Sequence, residues 1–209
     1  SYYGVVAAYP VYAYPYHTTY AAVGYVDAGD PYVEYVDPVP DAVVAAPPIP
    51  AEFLAPIASS SVPADLDGPA LVSFSQSAMK AGDYVNAAEA ARRVWILNPA
   101  DARAAEMVGL ALVGAGSYEM GSKAITEALL RGANRVTDPT DVAAVFPVRN
   151  AFDVALAGLK RFAVANPNAG DIYFALGYLQ LASGDAFGAH ATFLSLQEGG
   201  FENPLLTDL

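Results

Sequence analysis

The stretch GDYVNAAEAARRVWILNPADARAAEMVGLALVGAGSY, residues 82–118, begins and ends on the same Gly-x-Tyr pattern. The two copies of this pattern lie 34 residues apart, and twice that spacing separates Gly109 from Gly177, Gly116 from Gly184, and Pro99 from Pro167. A fixed period of this length is typical of stacked helical hairpins, in which each unit buries its apolar face against its neighbours. Four units fit without insertion, at 68–101, 102–135, 136–169 and 170–203.

Start and stop signals predict two helices in each of the first two units. Asp67 is the expected N-cap of a helix that Gly68-Pro69 opens, because proline suits the first helical turn. Asp83 follows a glycine turn and caps a second helix, which Asn98-Pro99 closes. The second unit repeats this plan, with a helix near 102–115, a Gly116-Ser117-Tyr118 turn, and a helix through Ile125 and Leu129 to Arg131.

The third unit departs from the plan. Its expected first helix, near 138–148, contains Pro147, which removes a backbone hydrogen bond and clashes with the preceding turn. We therefore expect a short or broken helix there, followed by a regular helix over 151–165. The fourth unit is regular again, with helices over 171–183 and 186–197 and a Gly184-Asp185 turn and cap between them.

Small residues recur at fixed places in these helices. They are Gly109 and Gly177 in first helices, and Ala87, Gly121, Ala155 and Ala189 in second helices, while Pro99 and Pro167 close units. In these residues the chain resembles the tetratricopeptide repeat (TPR) family, whose units have this length and cross two antiparallel helices at small side chains. The resemblance covers about 136 of the 209 residues. It implies an all-α, TPR-like solenoid of helical hairpins.

The resemblance also implies a concave groove lined by the first helices. The lining residues would be Gln76, Met79, Lys80, Arg103, Glu106, Leu110, Val113, Phe174, Tyr178 and Leu181, with Thr140 and Ala144 from the third unit. Family members that grip peptide carboxylates use a cluster of Lys, Arg and Asn, and only Lys80 and Arg103 are candidates here. The mostly apolar lining favours an extended ligand with aromatic and aliphatic side chains.

The first 63 residues form a different region, which holds ten of the 14 tyrosines and ten of the 16 prolines. Prolines at this density forbid long helices and favour extended polyproline II, so we expect an extended arm that reaches on the order of 190 Å. Its expected anchors on other surfaces are Tyr9, Tyr12, Tyr14, Tyr16, Tyr25, Tyr32 and Tyr35. A disordered tail is the alternative, although the many Tyr and Val residues are untypical of one.

Charge and hydropathy exclude several partners. The chain carries a net charge of −12, and its first basic residue is Lys80. Nucleic-acid phosphates and anionic membrane surfaces are therefore repelled. No apolar run approaches the roughly 20 residues that cross a bilayer, so we expect no membrane span. The start at Ser1 and the arm's composition lead us to expect an extracellular or cell-surface protein whose signal peptide has been removed.

Catalytic patterns are weak or absent, so we expect a non-enzymatic protein without cofactor or metal. His17 and His190 are the only histidines, no cysteine occurs, and no Gly-x-Ser-x-Gly pattern positions a nucleophile. Residues 116–123 have glycines like a phosphate loop, but Ser122 and Lys123 stand in the wrong order. The arm's acids at 27, 30, 34, 37 and 41 are more simply solubilising charge than a Ca²⁺ site, because their spacing is not that of an EF-hand. Possible O-glycosylation sites are Thr18, Thr19, Ser59, Ser60 and Ser61.

The sequence thus predicts an arm (1–63), a TPR-like helical repeat domain (64–203) and a short tail (204–209). That tail is too short to cover the last hairpin, unless Leu205, Leu206 and Leu209 fold back as a minimal cap. An uncovered end face and an adhesive arm favour a structural subunit that assembles head-to-tail into a homopolymeric filament, with each arm docked on neighbouring repeat domains. The alternative is an adaptor that binds a partner peptide in its groove, with the arm as tether or self-inhibitor.

Overall fold

The computed structural model describes residues 46–132, 139–146 and 150–201. Within these ranges the chain is all-α, an α-solenoid of helical hairpins, with a single 3₁₀ turn at Ala51–Phe53. Its helices are α1 (Gly68–Ala81), α2 (Tyr84–Leu97), α3 (Ala102–Gly114), α4 (Tyr118–Arg131), α5 (Val142–Val145), α6 (Ala151–Ala165), α7 (Gly170–Ala182) and α8 (Ala186–Glu198). No helix of the described ranges has the length and hydropathy needed to cross a bilayer.

The predicted helix caps are present. Asp67, Asp83 and Asp185 each accept a hydrogen bond from the backbone N–H three residues ahead, at 2.9, 3.4 and 2.9 Å. Each of these bonds satisfies a donor that the first helical turn leaves unpaired. Asp101 caps α3 in the same way. The glycines of the three turns, at 82, 116 and 184, have φ of 76°, 80° and 85°, a backbone region that side chains with a Cβ disfavour.

Glycines let α3 and α4 cross at close range, as the repeat pattern predicts. A Cβ built on Gly109 would lie 2.5 Å from Ile125 Cγ1 and 2.9 Å from the Gly121 carbonyl oxygen. A Cβ on Gly121 would lie 2.9 Å from the Val113 nitrogen in return. Because part of each obstacle is backbone, a side chain at this crossing can be accommodated only by moving the helices apart.

We therefore expect Gly109→Ala to lower the free energy of unfolding by about 1–3 kcal/mol, the usual cost of overpacking. Urea denaturation followed by far-UV circular dichroism measures this loss. Gly68→Ala is the matched control, because the atom nearest to its added Cβ is 3.8 Å away, on Leu97. An equal effect of the two substitutions would mean that the crossing does not depend on glycine.

The third unit is broken, as Pro147 predicts, and its short helix changes the packing of the solenoid. α5 has four residues, and α4 packs directly against α7 of the fourth unit. Both described helices of the third unit contact first helices of the earlier units: α5 contacts α1, and α6 contacts α3. Phe146, just after α5, contacts both α2 and α6. Its ring centroid lies 5.7 Å from that of Tyr84 and 5.5 Å from that of Phe152.

Candidate functional site

Most residues predicted to line a groove belong to the core instead. Six of them are 1–2% exposed: Met79, Glu106, Leu110, Val113, Phe174 and Tyr178. Leu181 is half-buried, and Gln76, Lys80, Arg103 and Ala144 lie exposed. Side chains that are buried by their own chain are not available to a ligand, so the prediction of an open groove over these six positions is wrong. The physical reason is packing within the chain. Val113 packs at the crossing with α4, and Phe174 packs against Phe193 of its own hairpin. Glu106 and Tyr178 are hydrogen-bonded to each other.

A buried hydrogen bond crosses the face where the groove was predicted. The Tyr178 hydroxyl donates to Glu106 Oε1 at 2.5 Å, and the Thr140 backbone N–H donates to the same hydroxyl at 3.3 Å. Burial raises the pKa of Tyr178, and the neighbouring Glu106 carboxylate raises it further. The phenol therefore stays protonated and joins α3 to α7 as a structural donor.

The surface that does bind an extended segment lies on α2 and α4. Residues 46–63, which we call the strap, contact it along their length. Phe53 is 3% exposed, and its ring centroid lies 5.1 Å from that of Trp95, which is fully buried. Ile49 and Ile57 pack against the same core, and Val62 packs in a smaller cluster with Leu71 and Ala90. The strap therefore covers apolar surface that the helices alone would expose.

Two arginines of α2 bind the strap through its backbone carbonyls. Arg92 Nη1 donates to the Phe53 and Leu54 oxygens at 3.2 and 3.1 Å. Arg93 donates to the Pro63 oxygen at 2.7 Å and to the Val62 oxygen at 3.2 Å. The planar guanidinium offers several donors in a fixed arrangement, which suits two adjacent carbonyls, such as those that end the 3₁₀ turn at Phe53 and Leu54.

Glu89 is the centre of this polar network. Its carboxylate accepts from Arg92 Nε and Nη2, both at 2.8 Å, from Arg93 Nε at 2.9 Å and from the Ile57 backbone N–H at 3.0 Å. Burial alone would raise the pKa of Glu89, but the hydrogen bonds from Arg92, Ile57 and Arg93 outweigh burial, and the pKa lies below its ordinary value. The carboxylate is therefore ionised at neutral pH although it is 1% exposed.

Arg131 at the end of α4 holds the beginning of the strap. Its Nη2 donates to the Pro48 oxygen at 2.9 Å, and its Nε donates to the Pro99 oxygen at 3.1 Å. The guanidinium carbon lies 5.1 Å from the centroid of the Trp95 ring, a cation–π distance, and Glu127 pairs with the same side chain. Arg131, the last residue of α4, thus contacts both the strap and Trp95 of α2.

Asn86 completes the surface at the other end of the strap. Its side-chain oxygen accepts from the Ser61 backbone N–H at 2.7 Å and from the Ser60 hydroxyl at 3.2 Å. We call Asn86, Glu89, Arg92, Arg93, Trp95 and Arg131 together the strap-binding surface. Ser60 and Ser61, two of the three candidate glycosylation serines, thus donate their hydroxyls to the side-chain oxygen of Asn86. Ser59 lies exposed beside them, with φ of 67°.

The arm's seven predicted tyrosine anchors, and Thr18 and Thr19, lie outside the described residues. The strap-binding surface itself was missed by reasoning from the sequence. A signal for it was present: Glu89, Arg92 and Arg93 lie at helical spacing on an alanine-rich helix, beside the chain's single tryptophan. Charged residues on a buried helical face call for partners, and here those partners are backbone atoms of a distant segment.

A second concavity lies between α4, α6 and α7. It is lined by Glu119, Lys123, Phe162, Asn166, Ala169, Asp171 and Ile172. Burial raises the pKa of Asp171. The positive charge of Lys123 lowers this pKa, whereas the negative charge of Glu127 raises it further. Lys123 pairs with Glu119 at 3.2 Å, so the charges of this cleft largely neutralise each other.

Across the described ranges, no three His, Asp or Glu side chains come together in an arrangement that would bind a metal. The sequence matches no known protein-family model, and it matches no curated protein.

Proposed function

We propose that this chain is a non-enzymatic structural subunit that assembles with itself into an extracellular filament. In this proposal the N-terminal arm docks on the helical domains of neighbouring copies, in head-to-tail order. Contacts of this kind generate fibres when the rotation between subunits does not close. We also propose that the helical units are tetratricopeptide repeats, on the strength of their period and of the glycine crossing between α3 and α4.

One observation carries the proposal: the helical domain binds a proline-rich segment through both its backbone carbonyls and its apolar side chains. Arg92, Arg93 and Arg131 donate to backbone carbonyls, and Glu89 accepts from a backbone N–H. The backbone bonds can be made to many sequences, and the buried Phe53 and Val62 side chains add selectivity for apolar residues. The strap is the last part of the arm, so the domain already accommodates the kind of chain that the arm offers.

The strap also determines how the proposal is tested. A deletion of residues 1–63 would remove Phe53 from Trp95 and leave Arg92 without its carbonyl partners. A deletion of residues 1–45 keeps the strap, and residues 46–209 form a compact unit by themselves. We expect the full chain to form filaments in negative-stain electron microscopy and the chain without residues 1–45 to remain a folded monomer.

Two full-length variants separate the arm's chemistry from its length. Replacing Tyr9, Tyr12, Tyr14, Tyr16, Tyr25, Tyr32 and Tyr35 together by serine should abolish filaments, because burial of their rings would be lost. Replacing the same seven residues by phenylalanine keeps the rings and should preserve assembly. Filaments from the chain without residues 1–45 would refute the role of these 45 residues in assembly.

A second candidate function is a peptide adaptor. Occupancy of the strap-binding surface by the chain's own strap favours this candidate in one respect, because a peptide receptor can be inhibited in this way. A full chain that elutes from size-exclusion chromatography as a monomer at every concentration would favour the adaptor over the filament subunit.

We further propose that an extracellular form carries O-linked sugars at Thr18, Thr19 or Ser59. Of these three, Ser59 lies in the described part of the chain, is exposed there, and precedes the two serines bonded to Asn86. A mass of 21.7 kDa, that of the bare chain, for protein isolated from its source would refute this assignment.

A further inference from the structure

We propose that the strap exchanges between copies, so that residues 46–63 of one molecule occupy the strap-binding surface of the next. This inference rests on the proposed filament and adds a second contact between its subunits, which is required beside the docking of residues 1–45. The strap and its surface belong to the same chain, so every copy carries both halves. An exchanged strap makes the same contacts with the neighbour that it makes with its own molecule. The exchange therefore costs little in contact energy.

The strap-binding surface cannot remain empty, and this condition favours replacement of the strap over simple release. Glu89 and Arg92 are 1% and 5% exposed with the strap in place. Departure of the strap removes the Ile57 N–H from Glu89 and two carbonyl oxygens from Arg92, and it uncovers Trp95. A molecule that gives its strap to a neighbour is therefore stabilised by receiving another strap. Head-to-tail transfer fills the surface of every subunit of an open chain except the one at one end.

The connection between the strap and α1 provides a place for the exchange to begin. Ala64 and Asp65 form an exposed turn, whereas Val62 before it is 7% exposed and Asp67 after it caps α1. Opening this turn would redirect the strap without disturbing the helix. Prolines at 47, 48, 50, 56 and 63 fix φ at five positions of the free strap, so binding to a neighbour orders fewer backbone degrees of freedom than in a proline-free segment.

The chain contains no cysteine, which permits a direct test by disulfide formation. Ser61 on the strap and Asn86 on α2 are in contact, with the Asn86 Nδ2 atom 3.1 Å from the Ser61 Oγ atom. Full chains carrying only Ser61→Cys are mixed with full chains carrying only Asn86→Cys, unfolded together in urea, refolded and oxidised. In this mixture a disulfide that joins positions 61 and 86 can form only between two molecules.

We expect the cross-linked heterodimer at a yield at least about tenfold above a control mixture, because docking raises the effective concentration of the two thiols into the millimolar range. The control pairs Ser61→Cys with Lys160→Cys, a substitution at an exposed position on α6. Filaments with cross-linking no higher than this control would overturn strap exchange and leave the filament proposal intact. Cross-linking without filaments would support strap exchange and refute the filament. Absence of both would overturn both.

A double variant tests the same inference in the opposite direction. Ser61→Cys and Asn86→Cys placed in one chain, and oxidised at high dilution, lock the strap to its own α2. We expect this locked monomer to form no filaments and to recover assembly when a reductant opens the disulfide. Filaments from the oxidised, intramolecularly linked chain would overturn strap exchange even where the arm proves necessary for assembly.

Discussion

Replacing Glu89 by alanine is expected to lower the free energy of unfolding by about 3–5 kcal/mol, the usual cost of removing one partner of a buried ion pair. The carboxylate is 1% exposed and accepts four hydrogen bonds. Without it, the guanidinium of Arg92 stays in a largely buried position with its charge uncompensated, and the Ile57 N–H loses its acceptor. The effect should therefore exceed that of losing a single neutral hydrogen bond.

Urea denaturation measured by tryptophan fluorescence and far-UV circular dichroism provides the test. Trp95 is the chain's single tryptophan and lies beneath Phe53 and Arg131, so its emission reports on the docked strap. Glu119→Ala is the matched control, because Glu119 also pairs with a cation one helical turn away but is 66% exposed on its side chain. This control should cost about 0–1 kcal/mol. A similarly small effect of Glu89→Ala would contradict the assigned role.

The same network predicts the direction of the pH dependence. The folded-state pKa of Glu89 lies below the ordinary value of 4.5, so the folded state binds fewer protons than the unfolded state. The stability that Glu89 contributes is therefore fully present above the unfolded pKa and is lost as the pH falls through the lower, folded pKa. Glu89→Gln should remove this part of the acid dependence, and unfolding curves between neutral pH and about pH 3 compare the two chains.

The helical array could be predicted from the sequence because its signals are local and periodic. Asp67, Asp83 and Asp185 each act within one helical turn, and Gly109 and Gly121 belong to neighbouring helices of one unit. The same local reasoning predicted a short helix in the third unit from the presence of Pro147, and α5 spans only Val142–Val145. A residue type was sufficient for each of these predictions, because the partner of each residue lies close to it in sequence.

The position of the third unit and the strap-binding surface could not be predicted in this way. Tyr178 reaches Glu106 across 72 residues, and Arg131 reaches Pro48 across 83. The strap has no repeat period, so nothing in its sequence specifies which helices it contacts. The groove prediction was wrong for the related reason that it took no account of contacts between residues distant in sequence, such as those of α6 with α3.

Replacing Trp95 by alanine is the second substitution for which we expect a loss of about 3–5 kcal/mol, the range for truncating a large buried aromatic residue. Trp95 is fully buried and contacts both the strap, through Phe53, and the end of α4, through Arg131. Its removal leaves a cavity between the two second helices and the strap. Far-UV circular dichroism in urea measures the loss, since the variant has no tryptophan fluorescence.

Two further variants identify the part of this loss that belongs to the strap. Trp95→Phe should cost less than Trp95→Ala, because it keeps an aromatic ring against Phe53 and removes an indole N–H that has no hydrogen-bond partner. Phe53→Ala removes the strap's half of the same contact, so the double variant Trp95→Ala with Phe53→Ala should lose less than the sum of the two single losses. If the losses are additive, Trp95 stabilises the helical array independently of the strap. If instead the losses from Trp95→Ala and Phe53→Ala are coupled, Trp95 links the docking of the strap to the stability of the solenoid.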